Sequence, residues 1–255
     1  MPGKFTTRRT FNRALSALPL AGLLSGQTLP DGPPNRFVAR PGSATGPAVA
    51  PGLHPLGFRT ERDALLYVPE SSVKLDKAPL VLSLHGASRD SDRGIELLRT
   101  LADQHGFLLL APASTRGTWD IINGPGGPDA KFIDRSMAKT FEMRKIDRGR
   151  IAMAGFSDGA SASLSFGLAN GDLFNAVFGF SPGFIVDMER VGRPPVFISH
   201  GTVDPVLPID QCSRRIVPQL KHDGYTVTYR EFEGKHTLPP DVASEAMKWF
   251  MDLRA

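Results

Sequence analysis

Apolar residues gather along this chain in short runs separated by longer amphipathic stretches. Residues 80–84, 107–110, 151–154, 176–180 and 196–199 are almost unbroken apolar runs. That is the pattern of strands covered on both faces. Residues 64–68 form a further strand, ended by Pro69 and expected to pair with residues 56–60. Residues 227–232 form another. Between the strands the period changes to that of helices. Ser91 is placed to cap a helix running through Leu101 and stopping at Gly106. Asp129 is placed to cap a second helix, whose Phe132, Ile133, Met137 and Phe141 share one face. Residues 209–221 and 239–253 read as two more helices. Such alternation predicts an α/β fold with a mostly parallel central sheet and helices on both faces. In such sheets the working site lies beyond the carboxyl ends of the strands.

The first fifty residues depart from that pattern. Residues 29–52 are rich in Pro, Gly and Ala, and read as a linker or tail with little apolar surface to fold. The folded domain is expected over residues 53–255. Residues 1–28 resemble a twin-arginine signal peptide, with Arg8 and Arg9 inside Thr7–Arg13 and a modestly apolar stretch behind them. This implies the twin-arginine export machinery as a partner and a periplasmic or secreted protein. The alternative is a basic tail on a cytoplasmic one. Lys4, Arg8, Arg9 and Arg13 account for the whole net charge of +4. The remainder carries no basic run with interleaved aromatics, so nucleic acid is not an expected partner. No apolar run reaches membrane-spanning length, so stable membrane insertion is not expected either. The single cysteine, Cys212, allows no internal disulfide.

The run at 151–154 feeds directly into Gly155-Phe156-Ser157-Asp158-Gly159. A serine on a sharp strand-to-helix turn has its oxygen clear of the sheet, and glycines on either side avoid a clash with strand and helix. The small residues that follow, Ala160 to Ser163, suit a helix lying close on the sheet. Five residues alone recur by chance, and an ordinary turn with a surface serine would read the same.

The order of the remaining chemistry is more specific. A serine needs a base to take its proton, normally a histidine oriented by a carboxylate. Asp204 follows the 196–199 strand and His236 follows the 227–232 strand. Nucleophile, acid and histidine therefore come in the order this architecture requires, each just after its own strand. Asp187, Asp210 and Asp172 are rival acids. His200 and His222 are rival bases, His200 being read as a packed structural residue. An oxyanion hole calls for two backbone amides. Asp158, next to the nucleophile, supplies one, and Ala87, in the loop after residues 80–84, supplies the other. His85 braces that loop, and the Asp158 carboxylate is read as packing at the edge of the site. Trp119, Phe156 and Leu207 are candidate walls of a substrate pocket, with Phe184, Ile185, Val206 and Leu238 beside them.

These residues resemble the α/β-hydrolase superfamily, and most nearly its bacterial phospholipase/carboxylesterase group, with polyhydroxybutyrate-depolymerase-like and feruloyl esterases as neighbours. Leu84-His85-Gly86, the serine turn, residues 200–208 and Gly234-Lys235-His236 carry the resemblance. It implies a serine hydrolase that cleaves a small-molecule or lipid carboxylic ester through an acyl-enzyme, with no metal or organic cofactor. The loop between residues 180 and 195 is too short for an inserted lid domain. Asp158 departs from the residues common in relatives, so no single relative's substrate carries over. An amidase or peptidase on the same three residues is one alternative. A catalytically silent binding protein of this fold is the other.

Overall fold

The computed structural model describes residues 35–46, 49–124 and 126–253. The signal-like segment, residues 1–28, lies outside them. The chain opens with a hairpin of β1 (Gly52–Pro55) and β2 (Leu65–Val68). Then come β3 (Ala78–Leu84), α1 (Ser91–His105) and β4 (Leu108–Ala111). The short α2 (Asp120–Asn123) and the longer α3 (Pro128–Met143) lead to β5 (Ile146–Gly155) and α4 (Asp158–Ala169). β6 (Ala176–Phe180), β7 (Val196–Gly201), α5 (Ser213–His222), β8 (Val227–Phe232) and α6 (Pro240–Asp252) complete it.

The eight strands lie in the order β1-β2-β4-β3-β5-β6-β7-β8. β1 with β2, and β2 with β4, pair antiparallel, and every other pair is parallel. All seven residues of β3 are buried, and alternate ones serve opposite layers. Leu80, Leu82 and Leu84 pack with residues of α3, α4 and α5. Val81 packs with Ile95, Leu98 and Leu101 of α1 and with Met247 and Phe250 of α6. After β3 the chain winds to β4 on one side, then crosses back to β5 on the other. Strand order therefore reverses at β3 and β5, which opens a crevice at their carboxyl ends. No lid is inserted after β6, where residues 181–195 form a loop.

Several expectations are corrected. The partner of β2 is residues 52–55, not 56–60. Leu56 N–H closes the hairpin on the Ala64 carbonyl, and the Asp63 carboxylate accepts from Gly57 and Phe58, turning residues 56–63 into a tight loop. The reading of residues 29–52 as a free linker fails for residues 35–46, which lie extended along the domain. Phe37 is 2% exposed and its ring meets Phe166 and Phe174. Phe37 N–H donates to Asn170 Oδ1 at 2.7 Å, and Val38 and Ala39 both donate to Asp134 Oδ1 at 2.9 Å. One inserted ring and satisfied backbone donors order a stretch whose composition is that of a tail. Both expected helix caps also shift: Asp90 stands at the cap of α1 with Ser91 already helical, and Gly127 at the cap of α3 with Asp129 already helical.

Candidate active site

The serine turn is shaped by backbone crowding. A Cβ built on Gly155 would stand 2.0 Å from the Gly159 carbonyl oxygen, and one on Gly159 would stand 2.2 Å from the Leu84 oxygen. Ser157 itself takes φ 58 and ψ −122, a left-handed region that costs a side-chain-bearing residue about 1–3 kcal/mol. Neighbouring strands hold it there. Ser157 N–H donates to the Phe180 carbonyl at 2.9 Å and Phe156 N–H to the Leu84 carbonyl at 3.2 Å. An alanine inside a helix ordinarily gains about 1 kcal/mol over glycine. At Gly159 the clash is with main chain and overrides that gain. Gly159→Ala is expected to cost about 3 kcal/mol or more, read as a lowered urea midpoint. A midpoint equal to wild type would refute the crowding account.

Three of the singled-out side chains meet at the crevice. Ser157 Oγ lies 2.8 Å from His236 Nε2, and His236 Nδ1 lies 2.6 Å from Asp204 Oδ2. A carboxylate only accepts, so Nδ1 carries the proton and Nε2 accepts the serine hydroxyl. The Phe156 ring packs against the imidazole with its centroid 4.8 Å away. Asp204 is buried. Burial raises its pKa, but the amides of Leu207 and Val206 and the His236 donor outweigh that and hold it below the ordinary carboxylate value. The rival acids are placed elsewhere: Asp172 pairs with Arg36 and Arg40, and Asp210 with Arg214. Asp187 is exposed, as is His222.

The loop after β3 comes close to the serine. A Cβ on Gly86 would lie 3.4 Å from Ser157 Cβ. Ala87 lines the same cavity as Ser157. The next amide, of Ser88, is taken by the Gly117 carbonyl at 2.6 Å. Asp158 is the first residue of α4, where helix amides have no intrahelical partner. Its carboxylate turns to Thr118 Oγ, 2.6 Å away. His85 braces the loop, its Nδ1–H donating to the Gly86 carbonyl and its Nε2 accepting from Ser114 N–H. Burial lowers its pKa, so it stays neutral at neutral pH.

A cavity of about 870 Å³ opens from Ser157. Of the expected walls, Phe156, Val206 and Leu238 line it. Trp119 does not: it is wholly buried beneath the β3 loop, stacked on His85 and donating its indole N–H to the His85 carbonyl. Leu207 is not a wall either. Its side chain is directed toward Gly183, and its backbone serves Asp204 and His200. Phe184 and Ile185 also lie outside the lining. The wall that sequence reasoning missed is the stripe Arg93, Leu97, Thr100 and Gln104 along α1. Their helical spacing was legible, but not that this stripe looked toward the serine.

Residues 129–252 match the phospholipase/carboxylesterase family model. The chain is similar to feruloyl esterase B of Talaromyces stipitatus, 25% identical over 199 residues. That match covers 70% of this chain and 52% of the fungal protein, so the chain spans about half the length of the curated relative it matches. Among solved structures it resembles a thermostable esterase, with TM-score 0.61 and 25% identity, covering 74% of this chain and 58% of that one. It also resembles a phospholipase/carboxylesterase from Dyadobacter fermentans, with TM-score 0.57, 22% identity, and coverage of 74% and 96%.

Proposed function

We propose that this chain is a serine hydrolase of carboxylic esters, a reading supported by the match of residues 129–252 to the phospholipase/carboxylesterase family model. The observation that carries this reading is the hydrogen-bonded series Ser157–His236–Asp204 at the mouth of a cavity. Ser157 Oγ attacks the ester carbonyl carbon while His236 Nε2 takes the hydroxyl proton. Asp204 stabilises the imidazolium and keeps its orientation. Negative charge moves to the carbonyl oxygen, where the amides of Ala87 and Asp158 receive it, each such donor contributing about 3–4 kcal/mol. The bond to the alcohol oxygen breaks, and His236 returns the proton to that oxygen. Water then repeats the sequence on the acyl-enzyme, releasing the acid and restoring Ser157.

The α1 stripe from Arg93 to Gln104 extends about 16 Å at helical rise. Its facing wall is the start of α6, with Pro240, Ala243 and Ser244. Leu97, Leu98, Leu101 and Leu238 give the trough its apolar lining. In this reading one extended half of the ester lies along α1. The Arg8–Arg9 segment supports export as the route by which the enzyme meets its substrate.

The test is a panel of p-nitrophenyl esters of rising acyl length beside matching p-nitroanilides. Esters are expected to turn over and anilides not. Faster hydrolysis of the anilides would make it an amidase. A purified protein that neither hydrolyses any ester nor labels with a fluorophosphonate would be a binding protein.

A further inference from the structure

Resting on the hydrolase reading, we propose that His200 is a positioning residue for the acid of the triad. It fixes the turn that carries Asp204 and sets how strongly that carboxylate draws the His236 proton.

His200 lies in β7, four residues before Asp204, and is wholly buried. Its Nε2 is 2.8 Å from the Leu207 carbonyl, and its Nδ1 is 2.6 Å from Ser213 Oγ, at the start of α5. A carbonyl only accepts, so Nε2 bears the proton and Nδ1 accepts from the serine hydroxyl. The tautomer is thereby fixed from outside the triad. The bond to Leu207 closes the 204–207 turn, whose Val206 and Leu207 amides donate to Asp204 Oδ1. The same Nε2 lies 3.2 Å from Asp204 Oδ2, the oxygen that holds His236. Its N–H is aimed chiefly at Leu207, with Oδ2 to its side. Burial lowers the pKa of His200, against the pull of the Leu207 carbonyl and Asp204, so the ring acts as a neutral dipole.

That dipole has a direction of effect. Asp204 must stabilise an imidazolium that forms in the reaction, yet must not hold His236 protonated at rest. The positive end of the His200 N–H dipole lies 3.2 Å from Oδ2, where it stabilises the ionised carboxylate and weakens its pull on the His236 proton. Losing the His200 dipole therefore leaves more His236 protonated at a given pH, and the acid limb of activity moves up. The other ionisable groups are accounted for. Cys212 lies near Asp204, and burial and that charge push its thiol up. Glu231 on β8 is paired with Arg214. Asp158 is tied to Thr118. Glu233 and Lys235, on the loop of His236, are exposed. A side chain present only for bulk needs none of this polar wiring.

The test follows the rate of fluorophosphonate labelling of Ser157 from pH 5 to 9, which reports the free His236 base without requiring the natural substrate. His200→Phe keeps the ring and removes both nitrogens. Its acid limb is expected about one pH unit above wild type. His200→Gln keeps a donor and is expected to recover more than half of that shift. A limb that stays in place in His200→Phe while the melting temperature falls would overturn the proposal. A second measurement needs neither variant nor catalysis. In wild-type protein carrying [15N]histidine, His200 is expected to stay protonated at Nε2 and bare at Nδ1 across the range. Protonation of both nitrogens within it would equally overturn the proposal. Absence of labelling in wild type would strike the hydrolase reading instead, leaving the nitrogen measurement to decide this one.

Discussion

Ser157→Ala is expected to lower ester turnover on the order of 10⁶-fold and to abolish fluorophosphonate labelling. The size follows from what remains. Without Oγ no acyl-enzyme forms, and the residual rate is what the Ala87 and Asp158 amides and substrate binding supply to attack by water. The fold is expected to persist, because alanine takes up the same φ 58 backbone at the same cost and the bonds that hold the turn, from the Phe156 and Ser157 amides, are main-chain, leaving only the contact to His236 lost. A melting temperature within a few degrees of wild type checks that. Turnover within tenfold of wild type would remove Ser157 from the chemistry.

Asp204→Asn is the second large effect, expected at about 10⁴-fold in turnover. The two oxygens of Asp204 face different demands. Oδ1 accepts from the Val206 and Leu207 amides, and Oδ2 faces His236 Nδ1 and His200 Nε2. The asparagine carbonyl takes the first place, which puts the amide nitrogen opposite two ring N–H groups. Donor then meets donor. His236 relieves this by shifting its proton to Nε2, which points a hydrogen at Ser157 and leaves no base. Stopped assays at neutral pH check the loss, and a variant keeping a tenth of wild-type turnover would contradict it.

Local sequence carried the serine turn because its causes are local. Gly155 and Gly159 are required by contacts within five residues and by the adjacent strand. Asp204 and His236 were legible from chain order, since each follows a strand of the same sheet. Trp119 was misplaced for a reason of the opposite kind. Its indole N–H finds a carbonyl 34 residues away, at His85, and only the fold says that this loop lies above it. The 35–46 segment was misread because its acceptors, Asp134 and Asn170, stand about a hundred or more residues further on. The part played by Leu207 was hidden because it is a main-chain part, to which side-chain identity gives no clue.

The close approach of Gly159 to the Leu84 carbonyl seats the start of α4 directly on the end of β3, so the Ser157 turn and the loop carrying Gly86 share one packing. The trough is built instead from α1 and α6, in the other layer of the molecule. On the hydrolase reading, substitutions at Leu97, Thr100 or Gln104 are expected to change which ester is held without moving Ser157. Such a division of labour lets selection, or an engineer, retune substrate scope while the chemical step is left intact.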